Sequence, residues 1–179
     1  MSVETCLYFV VQNQFLLLLT ASRNFSTDTS PPITIDFIKN KDRPRVINFL
    51  RTFFFRDEPL NEYLKIIKPD GTCPSLEEYS LKSIEQDVSL MAVNPSGTLL
   101  GVSLNSIKYR NMSSTQDAKE PINDPLFAKI GTMLNYVDVE SDIFGKYPDI
   151  DQQLSLDIIS VDTKCRGQGI AQKLMDRTR

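Results

Sequence analysis

The segment that most constrains this chain is near its end, where Leu154-Ser155-Leu156-Asp157-Ile158-Ile159-Ser160-Val161 runs into Asp162-Thr163-Lys164-Cys165-Arg166-Gly167-Gln168-Gly169-Ile170-Ala171. The first stretch has the apolar content of a buried strand, and Gln172 to Arg179 after the glycines reads as a helix. A strand that turns into a helix over so few residues must lay that helix back on its own sheet, which requires a layered α/β domain. The same turn gathers backbone N–H groups and the positive end of a helix dipole at one point, an arrangement suited to an anion. Gly167 and Gly169 carry no side chain to keep a diphosphate away from the backbone, Arg166 adds a charged donor, and Ala171 is small enough for close helix packing.

The rest of the chain fits such a layered domain. Ile33, Ile35 and Phe37 alternate with polar residues as a half-buried strand does, and a turn follows at Lys39 to Lys41. Asp42 then suits an N-cap with Pro44 in the first turn, and Val46, Phe49, Leu50, Phe53 and Phe54 line one helix face. Proline at 59 ends this helix near Arg56-Asp57-Glu58, so Glu58 is expected at a helix terminus. Ser75 and Glu78 have capping-box spacing for a second helix with Leu76, Tyr79 and Ile84 facing inward. Val88 to Val93 and Leu99 to Ile107 read as an antiparallel hairpin around Asn94-Pro95-Ser96-Gly97. A polar, irregular stretch from Lys108 to Pro121 precedes a helix opened by Asp124-Pro125, whose Phe127, Ile130, Leu134 and Val137 share a face; Gly145 to Gln153 is a second polar connection. The fold class is therefore α/β in the broad sense, a mixed sheet with helices packed on its faces.

Composition removes several kinds of chemistry. The 179 residues contain no His, which excludes Ser-His-Asp triads and His-ligated zinc and leaves proton transfer to a carboxylate, Tyr, Lys or Cys. Cys6, Cys73 and Cys165 have no C-x-x-C spacing, so no metal site is expected, and three scattered thiols suit a reducing, cytoplasmic setting. A formal charge of −3, from 20 Lys and Arg against 23 Asp and Glu, offers no general attraction to phosphate backbones, and nucleic acid is not an expected partner. Residues 1–32 form a leader distinct from the domain that begins at residue 33. Its two apolar runs, Leu7 to Val11 and Phe15 to Leu19, are split by Gln12-Asn13-Gln14, too short and too interrupted for a membrane span. Glu4 is the sole charge before them, against a secretory signal, whereas Thr20-Ala21-Ser22 would suit its cleavage.

The glycine turn satisfies neither a P-loop, which needs Lys and Ser or Thr where Ile170 and Ala171 stand, nor a dinucleotide fingerprint, which belongs to an early βαβ unit. Arg166 to Ala171 spells R-x-x-G-x-A and resembles the acetyl-CoA signature of the GCN5-related N-acetyltransferases; a plain strand-to-helix turn is the alternative. Phe53-Phe54-Phe55-Arg56-Asp57-Glu58-Pro59-Leu60-Asn61, Ile159-Ser160-Val161-Asp162 and Leu76-Glu77-Glu78-Tyr79-Ser80-Leu81-Lys82 are similar to stretches of the insect arylalkylamine N-acetyltransferases, which include dopamine N-acetyltransferases. The resemblance spans about residues 33–179 and leaves out residues 1–32.

The resemblance implies a GCN5-related acyltransferase fold and direct attack of a small-molecule amine such as dopamine, serotonin or tryptamine on acetyl-CoA in a ternary complex. It implies that backbone groups of Ile159, Ser160 and Val161 hold the pantetheine arm and acetyl carbonyl. By the same comparison Arg166, Gly167, Gln168, Gly169, Ile170 and Ala171 hold the diphosphate, Glu58 is the general base and Tyr79 lies near the amine. An arylalkylamine is an ammonium ion at neutral pH, so it needs a base before it has a lone pair to attack with. For Glu58 that role requires burial beside the phenylalanine cluster, or the adjacent Asp57, to strengthen it; a solvated carboxylate in a charged turn is the competing reading. The Ser160 hydroxyl reads as structural and Cys165 as incidental. The family's pattern continues past the helix in which Arg179 falls, with further elements that form the other wall of the acetyl-CoA opening. That implies an incomplete acetyltransferase domain over 33–179, and it keeps a catalytically inactive acetyl-CoA- or partner-binding module on the same scaffold as the second reading.

Overall fold

The structure, a computed structural model, describes residues 32–111 and 124–178. Its sheet has the order β1 (Thr34–Phe37), β2 (Leu90–Val93), β3 (Leu99–Tyr109), β4 (Gln152–Val161), every neighbouring pair antiparallel. The helices are α1 (Arg43–Phe53), α2 (Pro59–Leu64), α3 (Pro74–Ile84), α4 (Pro125–Ser141), α5 (Ile143–Lys146) and α6 (Ile170–Thr178). The leader assigned to residues 1–32 falls almost wholly outside the described residues, as do positions 112–123 of the polar stretch.

Two apolar layers sandwich the sheet. On one face Met91, Val102, Leu104 and Ile158 pack with Val46, Phe49 and Leu50 of α1 and Leu76 and Ile84 of α3. On the other, Leu90 and Ala92 pack with Ile170 and Leu174 of α6, flanked by Ile33, Ile35, Ile159 and Val161. The period-2 alternation of the strands sends consecutive residues into opposite layers. At Gly101 α6 comes close to the sheet. A β-carbon there would stand 3.1 Å from Ile170 Cγ2 and 3.1 Å from the Ser160 carbonyl. Close packing of α6 thus rests on Gly101, Ile170 and Leu174 rather than on Ala171, which is half-buried.

Several local expectations are corrected. Asp42 stands at the N-cap of α1, but its buried carboxylate accepts the Lys39 N–H at 2.9 Å and pairs with Arg45 at 2.8 Å instead of capping the helix. Helix α3 begins at Pro74 with Cys73 as N-cap, so Ser75 lies inside the first turn and Glu77, not Glu78, reaches back to the Cys73 N–H. Strand β3 runs on through Lys108 and Tyr109, because both keep pairing with Gln153 and Gln152 of β4. The helix after the glycine turn starts at Ile170, two residues earlier than its spacing suggested. Asp124 does cap α4, accepting from Leu126 and Phe127 N–H, yet only the first part of the expected face is covered: Phe127 and Ile130 are buried, Leu134 is partly covered and Val137 is exposed.

Candidate active site

Glu58 comes from a turn that packing, rather than propensity, shapes. Helix α1 ends at Phe53, Phe55 is fully buried, and the chain folds back so that Asp57 and Glu58 N–H groups donate to the Phe54 carbonyl. Pro59 then opens α2, an element the sequence reading missed because its six residues are too few to display a period. Glu58 therefore starts one helix rather than ending another. Its Oε2 accepts the Asn61 N–H at 2.7 Å, which satisfies a backbone donor of the first turn, and the residue is only 8% exposed. Asn61 is itself buried and donates its side-chain amide to the Phe55 carbonyl at 3.2 Å, which fixes the turn from the other side. The solvated alternative for Glu58 does not hold.

The Asp57 carboxylate accepts from the Arg166 guanidinium at 3.1 Å, 109 residues further along the chain. Arg166 also donates through Nε to the Val161 carbonyl at 3.3 Å, so one side chain ties the Glu58 turn to the C-terminal end of β4. This contact brings the regions of Glu58 and of Ile159, Ser160 and Val161 together.

β4 is an edge of the sheet among the described residues, so backbone groups on its side away from β3 have no strand partner. Ser160 is buried opposite Val102, whereas Ile159 and Val161 belong to the α6 layer. Beyond Val161, Asp162 Oδ1 accepts the Lys164 N–H at 2.9 Å and starts a short 3₁₀ turn. Gly167 and Gly169 both take positive φ, +79° and +73°, and a β-carbon at either would meet nothing within 4 Å. The backbone is therefore open to solvent at the start of α6, flanked by exposed Gln168 and Arg166. Bare backbone and a guanidinium at a helix start fit a diphosphate, and side chains at 167 and 169 would obstruct its approach. Among the described residues no group of three His, Cys, Asp or Glu is arranged to hold a metal ion.

Tyr79 lies on α3, half-buried, with its ring edge-on to Phe127 of α4 at 6.1 Å between centroids. Burial, and then the charges of Asp157 and Asp138, hold its phenol well above the usual range, so it stays protonated at neutral pH. The sequence reading did not single out Asp157. The register of β4 slips there, with Leu104 opposite Ile158 and Asn105 opposite Leu156, which leaves Asp157 as a bulged residue. Ser83 of α3 and Ser106 of β3 donate to its two oxygens at 3.0 and 3.1 Å. A carboxylate within an apolar strand was the available signal, but its serine partners are 74 and 51 residues away.

Known structures share this fold. No family model matches the chain. Among solved structures, arylalkylamine N-acetyltransferase 2 from Aedes aegypti is 34% identical, with a TM-score of 0.74 over 82% of this chain and 68% of that one. The fold is shared by mosquito arylalkylamine N-acetyltransferase like 5b, at 19% identity and TM-score 0.66 over 82% and 69% of the two chains. It is shared too by a Drosophila melanogaster polyamine N-acetyltransferase that forms N-acetylagmatine, at 16% identity and TM-score 0.69 over 82% and 68%.

Proposed function

Because this chain belongs to the insect arylalkylamine N-acetyltransferases, and so to the acyltransferases, we propose that it transfers the acetyl group of acetyl-CoA to a biogenic arylalkylamine such as dopamine, serotonin or tryptamine, with Glu58 as general base. The observation that carries this reading is the Asp57–Arg166 ion pair, which ties the turn bearing a buried carboxylate to the strand end and the open glycine turn suited to the co-substrate.

In this reading acetyl-CoA supplies the activated acetyl thioester. The turn from Arg166 to Ala171 holds its diphosphate: Gly167, Gln168, Gly169 and Ile170 offer backbone groups beside the positive end of α6, and Arg166 offers its guanidinium. The edge of β4 at Ile159, Ser160 and Val161, unpaired among the described residues, orients the pantetheine arm and acetyl carbonyl through backbone groups. Glu58 takes a proton from the substrate ammonium. Its Oε2 is occupied by the Asn61 amide, and Oε1 has no hydrogen-bond partner among the described residues, so the two oxygens divide positioning from proton transfer. The amine nitrogen then bonds to the acetyl carbon, the carbon–sulfur bond breaks, and the thiolate leaves and is protonated as free CoA. Tyr79, protonated and edge-on to Phe127, forms part of the wall against the aromatic ring of the amine.

The test is amine-dependent release of free CoA. A fall of about 10²-fold or more is expected for Glu58→Gln. Equal rates in variant and wild type would remove Glu58 from the mechanism. Acetyl-CoA binding without any turnover would favour the non-catalytic module. Calorimetric titration with acetyl-CoA, beside an Arg166→Ala, Gly169→Asp double variant, checks the cofactor turn separately, and the double variant should lose the signal.

A further inference from the structure

Among the half-buried ionisable groups that the proposed mechanism leaves unused, Asp157 stands out by its place in the sheet. Asp157 sits at the β4 bulge, three residues before Ser160, on the face of the sheet where Ser83 of α3 can reach it. Two hydroxyls hold its oxygens, at 3.0 Å from Ser83 and 3.1 Å from Ser106. An ionised carboxylate has about four acceptor positions, so this set leaves room for another donor. No salt bridge among the described residues includes Asp157: Lys108, the nearby cation, is paired with Asp138. A half-buried carboxylate with two hydroxyl partners and no paired cation has acceptor capacity for one more donor. Burial pushes its titration upward.

Its position suggests what it serves. Three residues along a strand span on the order of 10 Å. With the acetyl carbonyl held at the Ser160 level, Asp157 is therefore about one arylethylamine length from the reacting nitrogen. Tyr79 lies one helical turn before Ser83 on α3, the residue that bonds Asp157, and stands edge-on to Phe127, so an aromatic wall lies on the helix that faces the carboxylate. We propose that Asp157 accepts a hydrogen bond from a ring hydroxyl at the far end of the amine, which makes the enzyme selective for hydroxylated arylalkylamines over unsubstituted ones. This assignment rests on the acetyltransferase reading above and adds a specificity residue to it. The bulge is what allows it, because it turns the Asp157 carboxylate toward α3 next to its neighbour Ile158, which already packs there. A site built to bind a hydroxyl rejects the analogue without one, because its own polar groups are then left unpaired.

The experiment compares kcat/KM for tyramine and phenethylamine, which differ by the ring hydroxyl alone, in the full chain, in Asp157→Asn and in Ser106→Ala. Wild type should favour tyramine, and Asp157→Asn should lower that preference about tenfold, on the scale of one charge-assisted hydrogen bond. Ser106→Ala frees an acceptor position and should preserve or increase the preference. A ratio of two substrates does not depend on the folded fraction, so a purely structural role would lower both rates alike and leave the ratio unmoved. An unmoved ratio in Asp157→Asn, or a wild type indifferent to the hydroxyl, overturns the assignment while leaving the acetyltransferase reading intact. No turnover of either amine overturns both.

Discussion

The Arg166 guanidinium is held between the Asp57 carboxylate at 3.1 Å and the Val161 carbonyl at 3.3 Å, so one side chain joins the turn of the proposed base to the turn of the proposed cofactor site. Both partners are about half exposed, and exposed ion pairs add little to stability. The consequence is competition, since an Arg166 engaged by Asp57 is less available to a diphosphate. Asp57→Asn should leave the melting temperature nearly unchanged and tighten acetyl-CoA binding by about fivefold or less, the range of one exposed pair. Calorimetry at two salt concentrations checks this; weaker binding would mean that the pair helps to preorganise the turn.

Glu58 combines two tasks that substitution separates. Gln at 58 keeps a carbonyl oxygen for the Asn61 N–H, so Glu58→Gln should lose activity while remaining nearly as stable as wild type. Glu58→Ala should lose activity and also about 1 kcal/mol of stability with the cap. Urea denaturation of both variants beside the CoA-release assay distinguishes them.

Gly101 has little room for a side chain between β3 and α6. Gly101→Val should lower stability by about 1–3 kcal/mol, the usual cost of overpacking. Acetyl-CoA binding should weaken with it, because Ile170, which the new side chain would displace, also begins the helix at the glycine turn. Thermal denaturation and calorimetry give the two readouts, and an unshifted melting temperature would contradict the close approach.

Arg51 of α1 grips Glu77 of α3 with two hydrogen bonds, at 2.9 and 2.7 Å, and this pairing is the main reason the Glu77 carboxyl titrates below its ordinary range. A carboxyl lowered on folding contributes stability that is fully present above its unfolded-state value, near pH ~4.3, and is lost as pH falls through the lower folded value. Glu77→Gln should therefore be less stable than wild type at pH 7, and the difference should shrink below pH ~4. Denaturation curves across that interval test the sign.

Much of the fold is local and therefore legible. The strand around Ile35, the helical spacing from Val46 to Phe53 and the Asn94-Pro95-Ser96-Gly97 turn appear where their periods place them, but Phe37, expected on the buried face, is exposed and Ile38 enters the core in its stead. The glycine turn is legible for the same reason, since Gly167 and Gly169 adopt the positive φ that glycine takes at no steric cost. Helix α2 escaped because six residues show no period, and the capping box at Ser75 failed because spacing does not record which of Glu77 and Glu78 reaches the free N–H.

By itself, then, the sequence determined the strands, the principal helices and the anion-suited turn, because backbone preference and apolar period act between near neighbours. Tertiary structure alone decided which carboxylates leave water and what they meet. Glu58 is buried because Phe55 is anchored in the core and α2 folds back, Asp57 is taken by Arg166, and Asp157 is turned by a register slip onto Ser83 and Ser106. Burial and pairing of charge depend on groups that chain order keeps tens of residues apart, and packing alone brings them within reach.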